Sequence, residues 1–95
     1  MSKRDKLRHK LRNNPKGVKF SEIETLLLRF GFVLERVSGS HHVFRFSDGE
    51  RVATVVVPVH GTVVKSAYTK DVIEILDELF PEVVDEQGKD DDSDA

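Results

Sequence analysis

Two adjacent imidazoles, His41 and His42, follow Gly39-Ser40 and open the alternating run Val43-Phe44-Arg45-Phe46. Histidine titrates at about 6.5 when unperturbed, so one placed at the mouth of a strand is a candidate for taking up or giving a proton near neutrality. The same pair also serves as the polar, half-exposed end of a ladder, and spacing alone does not separate these readings. Successive side chains of a strand alternate in direction, which sets His41, Val43 and Arg45 on one face and His42, Phe44 and Phe46 on the other. With the aromatic face packed on helices, His41 faces the open side of the sheet near Arg45, and His42 forms a polar edge to the core. This alternation also argues against a metal centre. Neighbouring histidines point apart, a third ligand at His60 requires a special loop return, and the chain has no cysteine. Neither a metal nor another cofactor is expected.

The elements that must position these groups read as helix, helix, three strands, helix. Lys3 to Asn13 is compatible with a helix carrying Leu7 and Leu11 on one stripe, ended by Asn13-Asn14-Pro15-Lys16-Gly17. Two leucines make it marginal alone, so it needs the domain, RNA or a partner to hold it. Ser21 is the expected N-cap of the next helix, with Glu24 completing a capping box; Ile23, Leu26, Leu27 and Phe30 line one face and Gly31 ends it. Phe32 to Val37 reads as a strand with one wet face, and the histidine strand follows. Asp48-Gly49 marks a tight hairpin, and Val52 to Val57 returns until Pro58 interrupts the ladder. After a loop containing His60-Gly61, residues Val72, Ile73, Leu76, Leu79 and Phe80 mark a last helix of about three turns. Its expected cap is Ser66 or Thr69, Asp71 favours its start, and Pro81 stops it.

Ninety-five residues make one small domain. The net charge of -2 conceals a gradient: residues 1–20 carry +7, residues 21–81 carry -3 and residues 82–95 carry -6. The organisation expected is a basic N-terminal arm over 1–19, a domain over 20–81 and an acidic, disordered tail over 82–95. The arm can track a phosphate backbone, whereas the tail repels one and either keeps the chain soluble or folds back on basic groups. The lack of cysteine suits a reducing cytoplasm. No targeting signal or apolar run of spanning length is present, so neither export nor a membrane is expected.

Three separated motifs carry a resemblance over roughly residues 20–80. Gly31-Phe32 follows an amphipathic helix, Gly39-Ser40-His41-His42-Val43-Phe44 begins the central strand, and Val57-Pro58-Val59-His60-Gly61 precedes the last helix. In this order they resemble the HicA family of toxin mRNA interferases. The resemblance implies an α+β fold like that of double-stranded-RNA-binding domains, with a three-stranded antiparallel sheet packed against two helices; the helix read over Lys3 to Asn13 would be an addition to it. It also implies a ribonuclease acting on single-stranded mRNA and neutralised by a HicB-like antitoxin. The family's active histidine falls on His41; Gly39 supplies the close turn, Ser40 an adjacent polar contact, and His42 is more variable. His60 and Gly61 match the loop before the last helix. The basic residues 1–19, Thr62-Val63-Val64-Lys65, Phe80-Pro81 and the acidic tail depart from the minimal toxins.

RNA carries its own nucleophile, so a histidine that accepts the 2'-hydroxyl proton promotes attack on the adjacent phosphate without a metal. Arg45 or Lys65 would steady the added negative charge, and His60 would be a second proton-transfer group or a loop stabiliser. Two other readings stand beside this one: an RNA-binding regulator that recognises without cutting, and a protein-interaction adaptor using the open sheet or the terminal arms.

Overall fold

The computed structural model describes residues 2–81, so the acidic segment 82–95 lies outside the described residues. Ser2 caps the first helix, its Oγ accepting from the Asp5 amide at 3.2 Å, and α1 runs over Lys3–Asn13 as its leucine spacing predicts. The thin apolar stripe is held by the rest of the domain. Leu11 is fully buried, Leu7 packs against the core, and α1 lies against both other helices. Arg8, on the same stripe, is only 3% exposed. Its Nη1 donates to the Phe80 carbonyl at 2.8 Å and, more weakly, to that of Leu76 at 3.5 Å, and the guanidinium lies over the Phe30 ring. A cation there supplies a donor to the carbonyls at the end of the last helix, of which that of Leu76 also accepts from the Phe80 amide at 2.7 Å.

After α1 the chain makes β1 (Val18–Lys19) and enters α2 (Phe20–Arg29) without a break. The cap differs from the one expected. Lys19, not Ser21, is the N-cap, and Glu22, not Glu24, reaches back to accept from the Lys19 amide at 3.1 Å. A lysine side chain has no acceptor to offer, so only the carboxylate half of the box exists. Ile23, Leu26 and Leu27 are fully buried, and Phe30 nearly so. Gly31 ends the helix at φ 95°, and a Cβ there would stand 3.3 Å from the Phe46 ring. Both the dihedral and the close approach favour glycine.

The main sheet is antiparallel in the order β2 (Val33–Ser38), β3 (His41–Ser47), β4 (Val52–Pro58). Phe32 is buried ahead of β2 rather than within it, and every residue of β2 is exposed, with a register shift between Leu34 and Arg36. The β3–β4 connection is a four-residue loop, Asp48 to Arg51, longer than a tight Asp-Gly turn. Asp48 organises it, accepting from the Glu50 and Arg51 amides and from the Arg51 guanidinium. These bonds hold its carboxyl down at about 2 from an ordinary value near 3.8, the Arg51 amide contributing most.

One pairing has no counterpart in the sequence pattern: β5 (Val63–Val64) joins β1 in a separate two-stranded ribbon. The Phe20 amide extends this contact, donating to the Thr62 carbonyl at 2.8 Å. The last helix, α3 (Ser66–Leu79), has 14 residues rather than about three turns. Its N-cap is Lys65; Ser66 is already helical, Thr69 is buried, and Asp71 falls beyond the first turn. The core lies between the helices and one sheet face, and combines Phe30, Phe32, Phe44 and Phe46 with Val55, Val57, Val72 and Leu76. This is the α+β, double-stranded-RNA-binding-domain-like architecture, with α1 and the ribbon added.

Candidate active site and its rim

Gly39-Ser40 forms a two-residue turn between β2 and β3, because Ser38 pairs directly with His41 across it. Gly39 takes φ 59°, as such a turn requires, and no atom stands within 4 Å of its would-be Cβ. The hairpin is pinned on its other flank by the Val59 amide, which donates to the Ser40 carbonyl at 2.8 Å. Thus Ser40 contributes a backbone acceptor, and the 58–62 loop is fixed beside the turn.

His41 pairs with Ser38 and Pro58 and is exposed on the sheet face turned away from the core. Among the described residues its ring makes no hydrogen bond. Cross-strand pairing assembles the rest of that face: Arg36, Val43 and Val56 form the next row, then Val33, Arg45 and Thr54. Val43 is buried within this row, while Val33, Val56 and Val52 remain large exposed apolar groups. Arg45 shares the face of His41, and its guanidinium lies 4.0 Å from the Glu35 carboxylate. Arg36 was not singled out by sequence reasoning. Its cross-strand position opposite Val43 places it between the rows of His41 and Arg45.

The other candidates separate. His60 is exposed, bridges to Val63, and begins the turn containing Gly61 at φ 70°, at the same end of the sheet as His41. Lys65 is the N-cap of α3, and its carbonyl accepts from Tyr68 and Thr69. Among the described residues no group of three histidine, aspartate or glutamate side chains converges as a metal site.

His42 points to the helix side. Its ring is 4.4 Å, centroid to centroid, from Phe20, which also approaches Phe44 at 6.2 Å. Nδ1 of His42 is buried without a hydrogen-bond partner. Beside it is a cavity of about 400 Å³ lined by Lys19, Phe20, Ser21, His42, Val59, Gly61 and Thr62. Sequence reasoning missed this cavity because β1, the first turn of α2 and the 59–62 loop meet only through the short ribbon. A groove of about 560 Å³ between α1 and α3 differs in character, with Glu74, Asp77 and Glu78 set against Arg12 and Lys70. Among the described residues no helix is long and apolar enough to cross a membrane.

A family model described as HicA toxin of bacterial toxin-antitoxin matches residues 20–77. Neither the curated proteins nor the solved structures contain a match.

Proposed function

The chain belongs to the HicA toxin family, and from that premise we propose that it is an endoribonuclease that cuts single-stranded mRNA in the cytoplasm with His41 as general base. The observation that carries this reading is the pinned Gly39-Ser40 turn, which presents His41 at the end of an open sheet face within the matched segment. His41 takes the proton of a ribose 2'-hydroxyl; the 2'-oxygen bonds to the adjacent phosphorus, and the bond from phosphorus to the 5'-oxygen breaks. The leaving oxygen receives a proton from His60 or water. The products are a 2',3'-cyclic phosphate and a 5'-hydroxyl, formed without a metal because the nucleophile and the leaving group both belong to RNA. Arg36 and Arg45 supply positive charge on the same face for the phosphates flanking the cut.

The same face suits a HicB-like antitoxin. Val33, Val52 and Val56 are apolar and exposed along the sheet face that carries His41 and the arginines, so a partner covering that face buries hydrophobic surface and blocks RNA at once. Co-expression with such a partner should yield a complex without nuclease activity, restored when the partner is removed.

The decisive experiment incubates the pure protein with defined single-stranded RNA in excess chelator, beside His41→Ala. Cyclic-phosphate ends from the wild type and their loss in the variant support the reading. RNA that is bound but left intact favours a non-catalytic RNA-binding regulator, for which the arginines of the open face would suffice. An RNA that is neither bound nor cut favours a protein adaptor.

A further inference from the structure

We propose that the cavity beside His42 is a nucleobase pocket that reads one base next to the scissile phosphate. The proposal rests on the ribonuclease reading above and extends it from chemistry to selectivity.

Four observations converge. The cavity is of ligand size, at about 400 Å³, within the roughly 300–1,000 Å³ range typical of small-molecule sites. It is walled on one side by the Phe20 and His42 rings, which offer a base an aromatic surface. His42 Nδ1 is buried with no hydrogen-bond partner, and a turn of this partly exposed ring toward the cavity would let a bound group satisfy it. The Ser21 and Thr62 side chains on the lining add polar groups of either sense.

Charge favours an anion over a neutral apolar ligand, and the Phe20 and His42 rings favour a base-bearing anion over an acidic peptide. Lys19 lines the cavity and no carboxylate does. The nearby Glu22 is already engaged, accepting from Lys10 Nζ at 2.9 Å and from the Lys19 amide. These contacts, the Lys10 bond foremost, hold its carboxyl below the usual range. The groove between α1 and α3 is larger but carries three carboxylates, which repel a phosphodiester.

Connectivity places the pocket within reach of the chemistry. His41 and His42 are consecutive, with Cα atoms about 3.8 Å apart, and their side chains leave opposite faces at the same sheet end. A strand whose phosphate lies at His41 therefore needs only to turn over the rim at Gly39-Ser40 and the 59–62 loop to seat its neighbouring base against Phe20. In this arrangement His41 sets the rate of the cut and His42 where it falls.

The test pairs binding with cleavage. A 2'-O-methyl RNA oligonucleotide, which cannot be cut, is titrated into the isotopically labelled full chain while the ring signals of Phe20 and His42 are followed by NMR. Separately, cut sites on a random-sequence RNA are mapped for wild type, His42→Phe and Thr62→Trp. His42→Phe keeps a ring against Phe20 and removes Nδ1; Thr62→Trp fills the cavity from an exposed position. The expected results are shifts of both rings on binding and, in each folded variant, a fall of about tenfold, or about 1.4 kcal/mol, in the base preference at one position beside the cut. Binding that shifts only His41 and its sheet face, or a base preference unchanged in both variants, overturns the pocket and leaves the ribonuclease intact. Failure of the wild type both to bind and to cut RNA overturns the underlying reading, and the pocket with it.

Discussion

Replacing Arg8 by methionine tests whether one buried guanidinium ties α1 to the end of α3. Methionine keeps most of the aliphatic stem and removes the charge. Of the two carbonyl bonds, only that to Phe80 at 2.8 Å has good geometry; the Leu76 contact at 3.5 Å counts for little. A hydrogen bond from a charged donor is worth about 1.5–3 kcal/mol, and the cation over the Phe30 ring adds about 1 kcal/mol. The carboxylates of Asp5 and Asp77, each 3.5 Å away, are 36% and 43% exposed and contribute well under about 1 kcal/mol apiece. Against these gains stands relief of the desolvation of a cation that is 3% exposed. The net expectation is a loss of about 2 kcal/mol. With a urea slope of about 1 kcal/mol per molar for so small a domain, the unfolding midpoint falls by about 2 M. Arg12→Met is the internal comparison, since Arg12 pairs with the same Asp77 from a site one-third exposed; it should cost no more than about 0.5 kcal/mol. An Arg8→Met midpoint equal to or above wild type, or equal losses for the two variants, refutes the reasoning and leaves Leu11 and its neighbours to hold α1.

His41→Ala should lower cleavage of single-stranded RNA by about 10²–10⁴-fold with an unchanged urea midpoint; equal initial rates at matched folded fraction would reject His41 as the base. Lys3, Lys6 and Lys16 lie on the basic N-terminal segment, and changing all three to glutamine should weaken RNA binding chiefly at low salt, reducing the salt slope by about 0.7 for each phosphate no longer neutralised; a filter-binding series showing the same slope would remove them from the interface. Deleting residues 1–19 would instead strip Leu11 and Val18 from the core. Asp48 is held at about 2, below its ordinary 3.8, so its contribution is full above about pH 4 and is lost as pH falls through 2. The urea midpoints of wild type and Asp48→Asn should therefore differ at pH 5 and converge toward pH 2, whereas a gap that widens on acidification would contradict the sign.

Much of this architecture was legible because long-period signals survive in isolation. The Leu7/Leu11 spacing delimits α1, Gly31 marks the end of α2, and alternation along His41–Phe46 separates the exposed His41 from the buried phenylalanines. What escaped has common physical causes. Strands of two residues, Val18–Lys19 and Val63–Val64, are too short to show a period, and they meet only across most of the domain's sequence. Both miscapped helices begin after lysines, which offer no side-chain acceptor, so a search for a hydroxyl or carboxylate cap runs past the true start. Arg8 sits in a basic run that reads as a wet face, and only its place between Leu7 and Leu11 pointed inward. Within the candidate site, His41 stood out by its motif, whereas Phe20, Ser21 and Thr62 become neighbours only through tertiary contacts.

The bond from Arg8 to Phe80 spans 72 residues, and that separation sets an order of events during synthesis. Protein chains emerge N-terminus first, so α1 appears long before the helix end it closes. The hairpins and α2 are local and form early, but Val72 and Leu76, both fully buried, arrive late. Until they do, one side of the helical layer has no cover and the sheet that carries His41 lacks part of its support. A growing chain thus holds an incomplete fold almost to the end of its domain, and the sheet that carries His41 gains its full backing only once Phe80 has emerged.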